Sequence, residues 1–219
     1  VNCNENTISL TSIENKDKGI EVNGNGNSIF VGEISNSNIG IDVSSASENS
    51  IYGGTIKNSD TAINIVSSSL NSISAVIESS GSGINITSSN DNSVVGFINN
   101  TAVGVNMQSS NKNSVSCGVS YANNKALIIQ DSNNNSISCS GDNNNIGMDM
   151  KNSHNNIISA GFINNNLGVN ISNSSLNTIS AFITNSTGDG FSMIDSHKNK
   201  VVGILDNNSI GFSAKSSNN

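Results

Sequence analysis

Three acidic residues occupy matching positions in short Gly-apolar segments and are the first candidates for chemistry. Glu21 and Asp42 lie 21 residues apart, and Asp149 lies in a similar segment farther along the chain. Two carboxylates about 5 Å apart can act as the acid and the nucleophile of a retaining glycosidase. The sequence favours a solvated edge for this group instead, because the acidic residues are scattered and the chain contains no arginine.

Histidines and cysteines are the candidates for metal and redox chemistry. His154 and His197 each stand two residues before an asparagine, and Cys117 and Cys139 each stand four residues after one. The members of each pair are 43 and 22 residues apart in the sequence. Whether they meet therefore depends on the elements that carry them.

Those elements are set by a repeat that runs through the whole chain. An Asn followed two residues later by Ile or Val recurs ten times, at intervals of 21 or 22 residues. The ten anchor asparagines are Asn6, Asn27, Asn49, Asn71, Asn92, Asn113, Asn135, Asn156, Asn177 and Asn199. Their apolar partners are Ile8, Ile29, Ile51, Ile73, Val94, Val115, Ile137, Ile158, Ile179 and Val201.

Two further columns keep the same phase. An apolar residue follows each anchor by six or seven positions, at Ile13, Ile34, Ile56, Ile77, Ile98, Val119, Ile163, Ile183 and Leu205, and the repeat around Gly141 lacks one. A second asparagine column comes two residues later, at Asn15, Asn36, Asn58, Asn100, Asn143, Asn165, Asn185 and Asn207, with Ser79 and Tyr121 interrupting it. Segments such as Gly83-Ile84-Asn85-Ile86 and then Ser-rich stretches complete each repeat.

This pattern predicts an all-β solenoid. Each repeat holds three short stretches of alternating apolar residues separated by Asn, Gly and Ser. The apolar set is dominated by β-branched Ile and Val, and Asn and Ser are weak helix formers. Short strands that keep one register in every repeat can pair with the equivalent strands of the next repeat. We therefore expect a single domain over residues 1–219, a three-sided parallel β-helix of ten coils.

Composition and charge restrict the classes of function. Asn and Ser supply 44 and 43 of the 219 residues, yet 34% of the chain is hydrophobic and regularly spaced, which excludes a disordered tract. Nine lysines face sixteen acidic residues, for a net charge of −7. A nucleic-acid partner needs a basic stripe, and a membrane span needs a long apolar run; the sequence shows neither.

The motif Asn-(Ser/Thr)-Ile, Ile-x-Asn, Gly-Ile-x-Ile and Ser-Ser resembles the right-handed parallel β-helix repeat. That repeat occurs in pectate-lyase-like proteins, in NosD-like carbohydrate-binding or periplasmic proteins and in surface adhesins. The resemblance covers residues 2–219 and implies right-handed winding and an extracellular or cell-surface location. Enzymes of this type carry a carbohydrate cleft walled by inserted loops, and the near-constant repeat length here leaves no such loop.

The repeat also decides what the remaining candidates can do. Stacking at about 4.8 Å places His154 and His197 roughly 9–10 Å apart, too far to share a metal, so we expect exposed corner residues and no metal or cofactor. Cys117 and Cys139 fall in a small inward column, which favours buried thiols, although a disulfide between stacked coils is geometrically possible. Cys3 lies outside that column. Outward Ser and Thr pairs such as Ser114 and Ser116 resemble, superficially, the faces of ice-binding solenoids.

The ends of the repeat suggest a non-enzymatic structural role. No segment at either end has the pattern of an amphipathic cap, and uncapped coils expose strand edges. We expect copies of the chain to stack head to tail into an extracellular filament. The predicted interface comprises Ile8, Ile13, Ile20, Val22, Val201, Leu205, Ile210 and Phe212. The alternatives are a piece of a longer adhesin passenger or stalk, a carbohydrate-binding or carbohydrate-active protein that recognises surface glycans, and an ice-binding solenoid.

Overall fold

Each anchor asparagine is followed by a strand that pairs in parallel with the strand after the next anchor. A computed structural model describes residues 1–218 and contains twenty strands and no helix in that range. The odd-numbered strands form a first ten-stranded sheet and the even-numbered strands a second one. The first sheet consists of β1 (Thr7–Glu14), β3 (Ser28–Ser35), β5 (Ser50–Lys57), β7 (Ser72–Glu78), β9 (Ser93–Asn99), β11 (Ser114–Ser120), β13 (Ser136–Asp142), β15 (Ile157–Ile163), β17 (Thr178–Thr184) and β19 (Lys200–Asp206).

The second sheet carries the Gly-apolar-x-apolar segments. It consists of β2 (Lys18–Val22), β4 (Ile39–Ser44), β6 (Thr61–Val66), β8 (Ser82–Thr87), β10 (Val103–Gln108), β12 (Lys125–Gln130), β14 (Ile146–Lys151), β16 (Leu167–Ser172), β18 (Asp189–Ile194) and β20 (Ile210–Lys215). In both sheets the strand order follows the order of the coils. The predicted parallel solenoid of about ten coils is therefore confirmed.

The register stacks like residues on like. Ile8 pairs with Ile29 and Ile29 with Ile51 in the first sheet, and Asn64 pairs with Asn85 in the second. The first two predicted apolar stretches form one continuous strand of seven or eight residues. The third side of each coil is a short turn segment, and its only bridges within residues 1–218 join Ser47 to Ser69 and Ser69 to Asn90.

From the second coil to the ninth, each coil turns at three corners, and each corner holds a residue with positive φ. The first corner carries the second asparagine column, with φ of 54° at Asn36 and 53° at Asn58. Asn tolerates this left-handed conformation better than most residues, which explains its recurrence there. In the eighth coil the corner residue is Asn164, with φ of 56°, and not Asn165 as the sequence column predicted. Asn165 is buried in the next column.

The core is a stack of inward Ile and Val side chains shared between coils, as the buried cluster from Ile20 to Phe191 shows. The apolar column of the first sheet packs over the small residues that begin the second-sheet strands. A Cβ added to Gly104 would lie 2.5 Å from Cγ1 of Val119 and 2.5 Å from the carbonyl oxygen of Ala126. The positions that begin the second-sheet strands therefore admit mostly Gly or Ala, because the neighbouring branched side chain of the first sheet fills the space.

One core position differs from the sequence prediction. Ile163 was placed in the apolar column, but it is exposed, and Phe162 is buried in its place. The reason lies in the coil before, where Gly141 leaves space that an Ile occupies elsewhere. A Cβ on Gly141 would meet Cδ1 of Phe162 at 3.4 Å, and one on Gly147 would meet the same ring at 2.5 Å. The larger ring thus fills the gap beside two glycines.

The corner before the anchor generates a stability prediction. Leu176 has φ of 62° and its side chain is exposed, while Asn134 and Asn155 hold the same position in other coils. We expect Leu176→Asn to raise the free energy of unfolding by about 0.5–1 kcal/mol, because Asn tolerates positive φ and little apolar burial is lost. Urea denaturation measures the change. An unchanged or lowered midpoint would show that Leu176 contributes packing that outweighs its backbone strain.

Candidate functional site: side-chain ladders and end faces

The anchor asparagines form an uninterrupted hydrogen-bonded ladder. Nδ2 of each anchor donates to Oδ1 of the anchor in the next coil, at 3.0–3.2 Å, from Asn6 to Asn199. The same oxygen also accepts the backbone N–H of the preceding anchor, at 2.8–3.1 Å. The ladder therefore has a direction, with donors pointing toward later coils.

Burial makes this ladder important for stability. Asn113 is almost completely buried, and its Nδ2 also reaches the carbonyl oxygens of Ser89 and Asn111 at 2.9 and 3.1 Å. A buried amide without partners is costly, and each interior anchor is hydrogen-bonded to the anchors of both neighbouring coils.

The serines behind the second corner form a parallel ladder that the sequence analysis missed. The backbone N–H of Ser89 donates to Oγ of Ser110 at 3.1 Å, and that of Ser110 donates to Oγ of Ser132 at 3.0 Å. These serines are fully buried. The recurrent Ser-Ser pairs were the available signal, because the second serine of each pair is the buried one.

The second asparagine column is less continuous. Its members other than Asn165 are exposed at the corner, and Asn58 donates to Asn36 at 3.3 Å while Asn207 donates to Asn185 at 2.7 Å. Asn143 instead donates to the neighbouring Asp142 carboxylate, at 2.7 Å. This column stabilises corners mainly through its backbone conformation.

Asp42 and Asp149 each lie at the first position of an asparagine ladder on the second sheet. Asp42 is buried and not on a solvated edge as the sequence predicted, Asp149 is half-buried, and Glu21 is exposed. Nδ2 of Asn64 donates to the Asp42 carboxylate at 2.8 Å, and Asn85 and Asn106 continue the ladder at 2.9 Å each. Nζ of Lys18 lies 2.7 Å from Oδ2 of Asp42 and 2.5 Å from Oε1 of Glu21. The lysine ammonium thus joins the two carboxylates in one ion-paired cluster.

Asp149 has the same arrangement at the start of a second ladder. Asn170 donates to the Asp149 carboxylate at 2.9 Å, and Lys125 forms an ion pair with the same carboxylate. Ile128 stands between the two ladders in the register. Each aspartate is thus bound by a lysine from the preceding coil and an asparagine from the following one, which is an arrangement suited to closing a ladder.

Charge interactions shift the pKa values in the first cluster. Burial alone would raise the pKa of Asp42, but hydrogen bonds from Lys18 and Asn64 outweigh it and hold the pKa below its usual value of 3.8. Hydrogen bonds to Asp42 and Glu21 raise the pKa of Lys18. Both groups are therefore charged at neutral pH, whereas an acid catalyst in a glycosidase needs a raised pKa.

Each histidine ring accepts a hydrogen bond from a backbone N–H. Both histidines are half-buried, not exposed as the sequence predicted. The backbone N–H of Ser175 donates to Nδ1 of His154 at 3.0 Å, and that of Asn218 donates to Nδ1 of His197 at 3.2 Å. Asn133 has the same role one coil earlier, where its Oδ1 accepts the N–H of His154 at 2.8 Å. Each imidazole replaces an asparagine side chain in a ladder on the third side.

Cys117 and Cys139 are joined by a disulfide between adjacent coils, with their Cα atoms 4.6 Å apart. The preference for buried thiols was therefore wrong, because in-register stacking places the two residues directly opposite each other, at a Cα separation that a disulfide can bridge. Cys3 is exposed and its thiol is free.

The last coil leaves apolar surface open. Val201 and Leu205 are half-buried, Ile210 is exposed, and Phe212 is 47% exposed. One face of the Phe212 ring stacks on Phe191, with centroids 5.5 Å apart. A cavity of about 480 Å³ opens at this end between the two sheets.

The first coil differs from the prediction at two positions. Ile8 and Ile13 are half-buried, but Ile20 and Val22 are buried and do not belong to the open face. The amino group of Val1 donates to the carbonyl of Glu21, and the carbonyl of Val1 accepts the N–H of Asn23 at 2.8 Å, so the Val1 segment lies along that edge. Leu10, which the prediction omitted, is exposed here. The sequence signal that could have identified Leu10 was its position in the small inward column that also contains Cys117 and Cys139.

Comparisons with known proteins identify no family, since no protein-family model, no curated protein and no solved structure matches the chain. Over residues 1–218 there is no helix long and apolar enough to cross a membrane. In the same range, no cluster of three or more His, Cys, Asp or Glu side chains is arranged to hold a metal ion.

The anchor ladder predicts unequal costs for two similar substitutions. We expect Asn113→Ala to lower the free energy of unfolding by about 3 kcal/mol or more, because it leaves several buried groups without partners. Asn106→Ala is the matched control, since Asn106 is only half-buried and donates a single ladder bond. Its expected cost is below about 1 kcal/mol. Equal costs in urea denaturation would contradict a special role for the buried ladder.

The Asp42 cluster predicts an acid-dependent contribution to stability. Because the pKa of Asp42 is lowered on folding, its contribution is complete above about pH 3.8 and is lost as the pH falls through the lowered value. Asp42→Asn should therefore be less stable than the wild type at pH 6, and this difference should shrink between pH 4 and pH 2. Lys18→Met should reduce the same difference. A gap between wild type and Asp42→Asn that is independent of pH would contradict the assignment.

Proposed function

We propose that the chain is a non-enzymatic structural protein, a subunit of an extracellular filament in which copies stack head to tail. The observation that carries the proposal is the direction of the anchor ladder. Within residues 1–218, no group donates to Oδ1 of Asn6, and the backbone N–H of Asn199 has no acceptor. The first coil thus offers an acceptor and the last coil offers a donor.

Apolar complementarity supports the same contact. The last coil presents Val201, Leu205 and Phe212, and the first coil presents Ile8, Leu10 and Ile13. In every interior coil the equivalent columns cover one another, so a first coil placed on a last coil would continue the first-sheet columns in register. On the second sheet the contact would include the Val1 segment, which lies along the edge of β2. Such a contact is heterologous and does not close, so it produces an open fibre.

Other features agree with a structural role outside the cell. Disulfides persist in oxidising compartments, which favours export of a chain with a Cys117–Cys139 bond. The paired charges of Asp42 and Asp149 are suited to binding lysines and not to proton transfer. We also propose that the solenoid winds to the right, as in the parallel β-helix proteins that the repeat resembles. Further coils of a longer surface rod would fill the same faces as a second copy.

The experiment blocks the two faces separately. Phe212→Asp places a charge on the last coil and Leu10→Asp places one on the first coil. We expect the wild type to form rods in negative-stain micrographs and each variant to sediment as a monomer near 22.6 kDa. An equimolar mixture of the two variants should yield a dimer, because each retains the face that the other lacks.

Phe30→Asp is the matched control, since Phe30 lies on the outer flank of the second coil, beside Ser9, is 49% exposed and belongs to neither end face. This variant should still form rods. A monomeric wild type at high concentration, or loss of assembly in Phe30→Asp as well, would overturn the stacking proposal.

A further inference from the structure

The outer face of the first sheet contains a trough that the stacking proposal does not use. Its floor consists of small side chains on β11, β13 and β15, and an aromatic side chain stands at each end, Phe97 and Phe182. The cavity has a volume of about 410 Å³. The floor residues are Ser116, Gly118, Ser138, Ser140, Ser159 and Gly161.

The register fixes the length of the trough. Phe97 pairs with Gly118, and Gly161 pairs with Phe182, with Ser140 between the two glycines. Phe97 and Phe182 are therefore four coils apart, which corresponds to about 19 Å along the rod at the spacing of paired strands. A ligand that reaches both rings must be extended and must lie parallel to the rod axis.

Phe97 has the form of a platform. A Cβ placed on Gly118 would lie 3.5 Å from Cδ1 and 3.9 Å from Cε1 of Phe97, so the ring leans over the glycine toward the floor. The side chain nevertheless remains 65% exposed, and Phe182 at the other end is 45% exposed. Phe97 is thus supported on one side and open on the other, and a large apolar side chain that is exposed at a cavity is available for binding.

The chemistry of the floor limits the occupant. The hydroxyls of Ser116, Ser138 and Ser159 can both donate and accept hydrogen bonds, and the floor carries no charged side chain. Asp142, at the side of the trough, is already hydrogen-bonded by Ser120. A charged ligand would therefore find no counter-charge on the floor, whereas an uncharged chain of hydroxyl groups with apolar ring faces matches it.

The backbone argues against an extended peptide. Strand addition needs a free sheet edge, where main-chain groups are unpaired. Here β11 and β15 are both paired on each side within the sheet, so the trough offers side chains only. The ligand must supply its own donors and acceptors, as the hydroxyls of a sugar do.

We propose that this trough binds an uncharged, extended glycan strand, with sugar rings stacked on Phe97 and Phe182 and hydroxyls bonded to the serine floor. The filament would then carry one glycan site per subunit on its flank. This site does not depend on assembly, because no floor residue belongs to an end face.

The test is native affinity electrophoresis of the full chain in gels that contain hydroxyethylcellulose, mixed-linkage β-glucan or galactomannan. We expect at least one of these neutral polymers to retard the protein, and polygalacturonate, an anionic polymer, to have no effect. Phe97→Ala should weaken the apparent affinity about tenfold, the size of a lost stacking contact together with its buried area. Phe182→Ala should weaken it in the same direction.

Phe30→Ala is the matched control, because Phe30 is an exposed ring on the same sheet face outside the trough. It should bind as the wild type does, and circular dichroism should show that all three variants keep their β structure.

Absence of retardation by every neutral polymer, equal losses in Phe97→Ala and Phe30→Ala, or equal retardation by polygalacturonate would overturn the proposal. So would lateral pairing of rods that Phe97→Ala abolishes, because a second copy would then be the occupant. Rod formation in micrographs is read independently, so failure of glycan binding leaves the filament proposal standing.

Discussion

The whole structure depends on the stacking of identical side chains at the spacing of paired β-strands. At each interior anchor an asparagine side chain is removed from water, and Oδ1 of the asparagine in the next coil accepts both its Nδ2–H and its backbone N–H. That asparagine must also donate to the coil beyond it, which an aspartate could not do. Because every coil needs the same partner above and below, one residue type is retained in all ten positions. The ladder thus sets the register, and the register places every other column.

The same constraint explains the composition. A coil of 21 or 22 residues with three corners has little room inside, so Ile and Val columns fill it and Gly or Ala must lie beneath the branched side chains. A small side chain in one coil is therefore compensated by a larger side chain in the neighbouring coil and not within the same coil, as Phe162 beside Gly141 shows. The disulfide, the Ser110 ladder and the Nδ1 contacts of His154 are local solutions to this requirement that each coil satisfy the next.

A solenoid of this kind has two kinds of surface, the two end faces and the flanks that run along the rod. The ends carry the polarity of the ladders and the unfilled core, which suits the addition of further coils. Some flank side chains take no part in the core or the ladders, and the exposed ring of Phe97 over Gly118 is one of them. The ion pairs of Asp42 and Asp149 close short ladders on the second sheet and stabilise its outer face. Assembly and binding can therefore reside on one rod without competing for residues.

The amino-acid sequence by itself determined the repeat, the all-β class, the parallel pairing and the anchor ladder, because each rests on periodicity that ten copies make unmistakable. It did not determine single-residue offsets: Asn164 and not Asn165 turns the corner, and Phe162 and not Ile163 enters the core. Those choices follow from the space left by Gly141 and Gly147 in the neighbouring coils, which spacing along one coil does not record. Only the tertiary structure decided that Cys117 and Cys139 bond, that the Val1 backbone is hydrogen-bonded along the edge of β2, and that Phe97 leans over Gly118, because each depends on contact between residues about 20 positions apart in the chain.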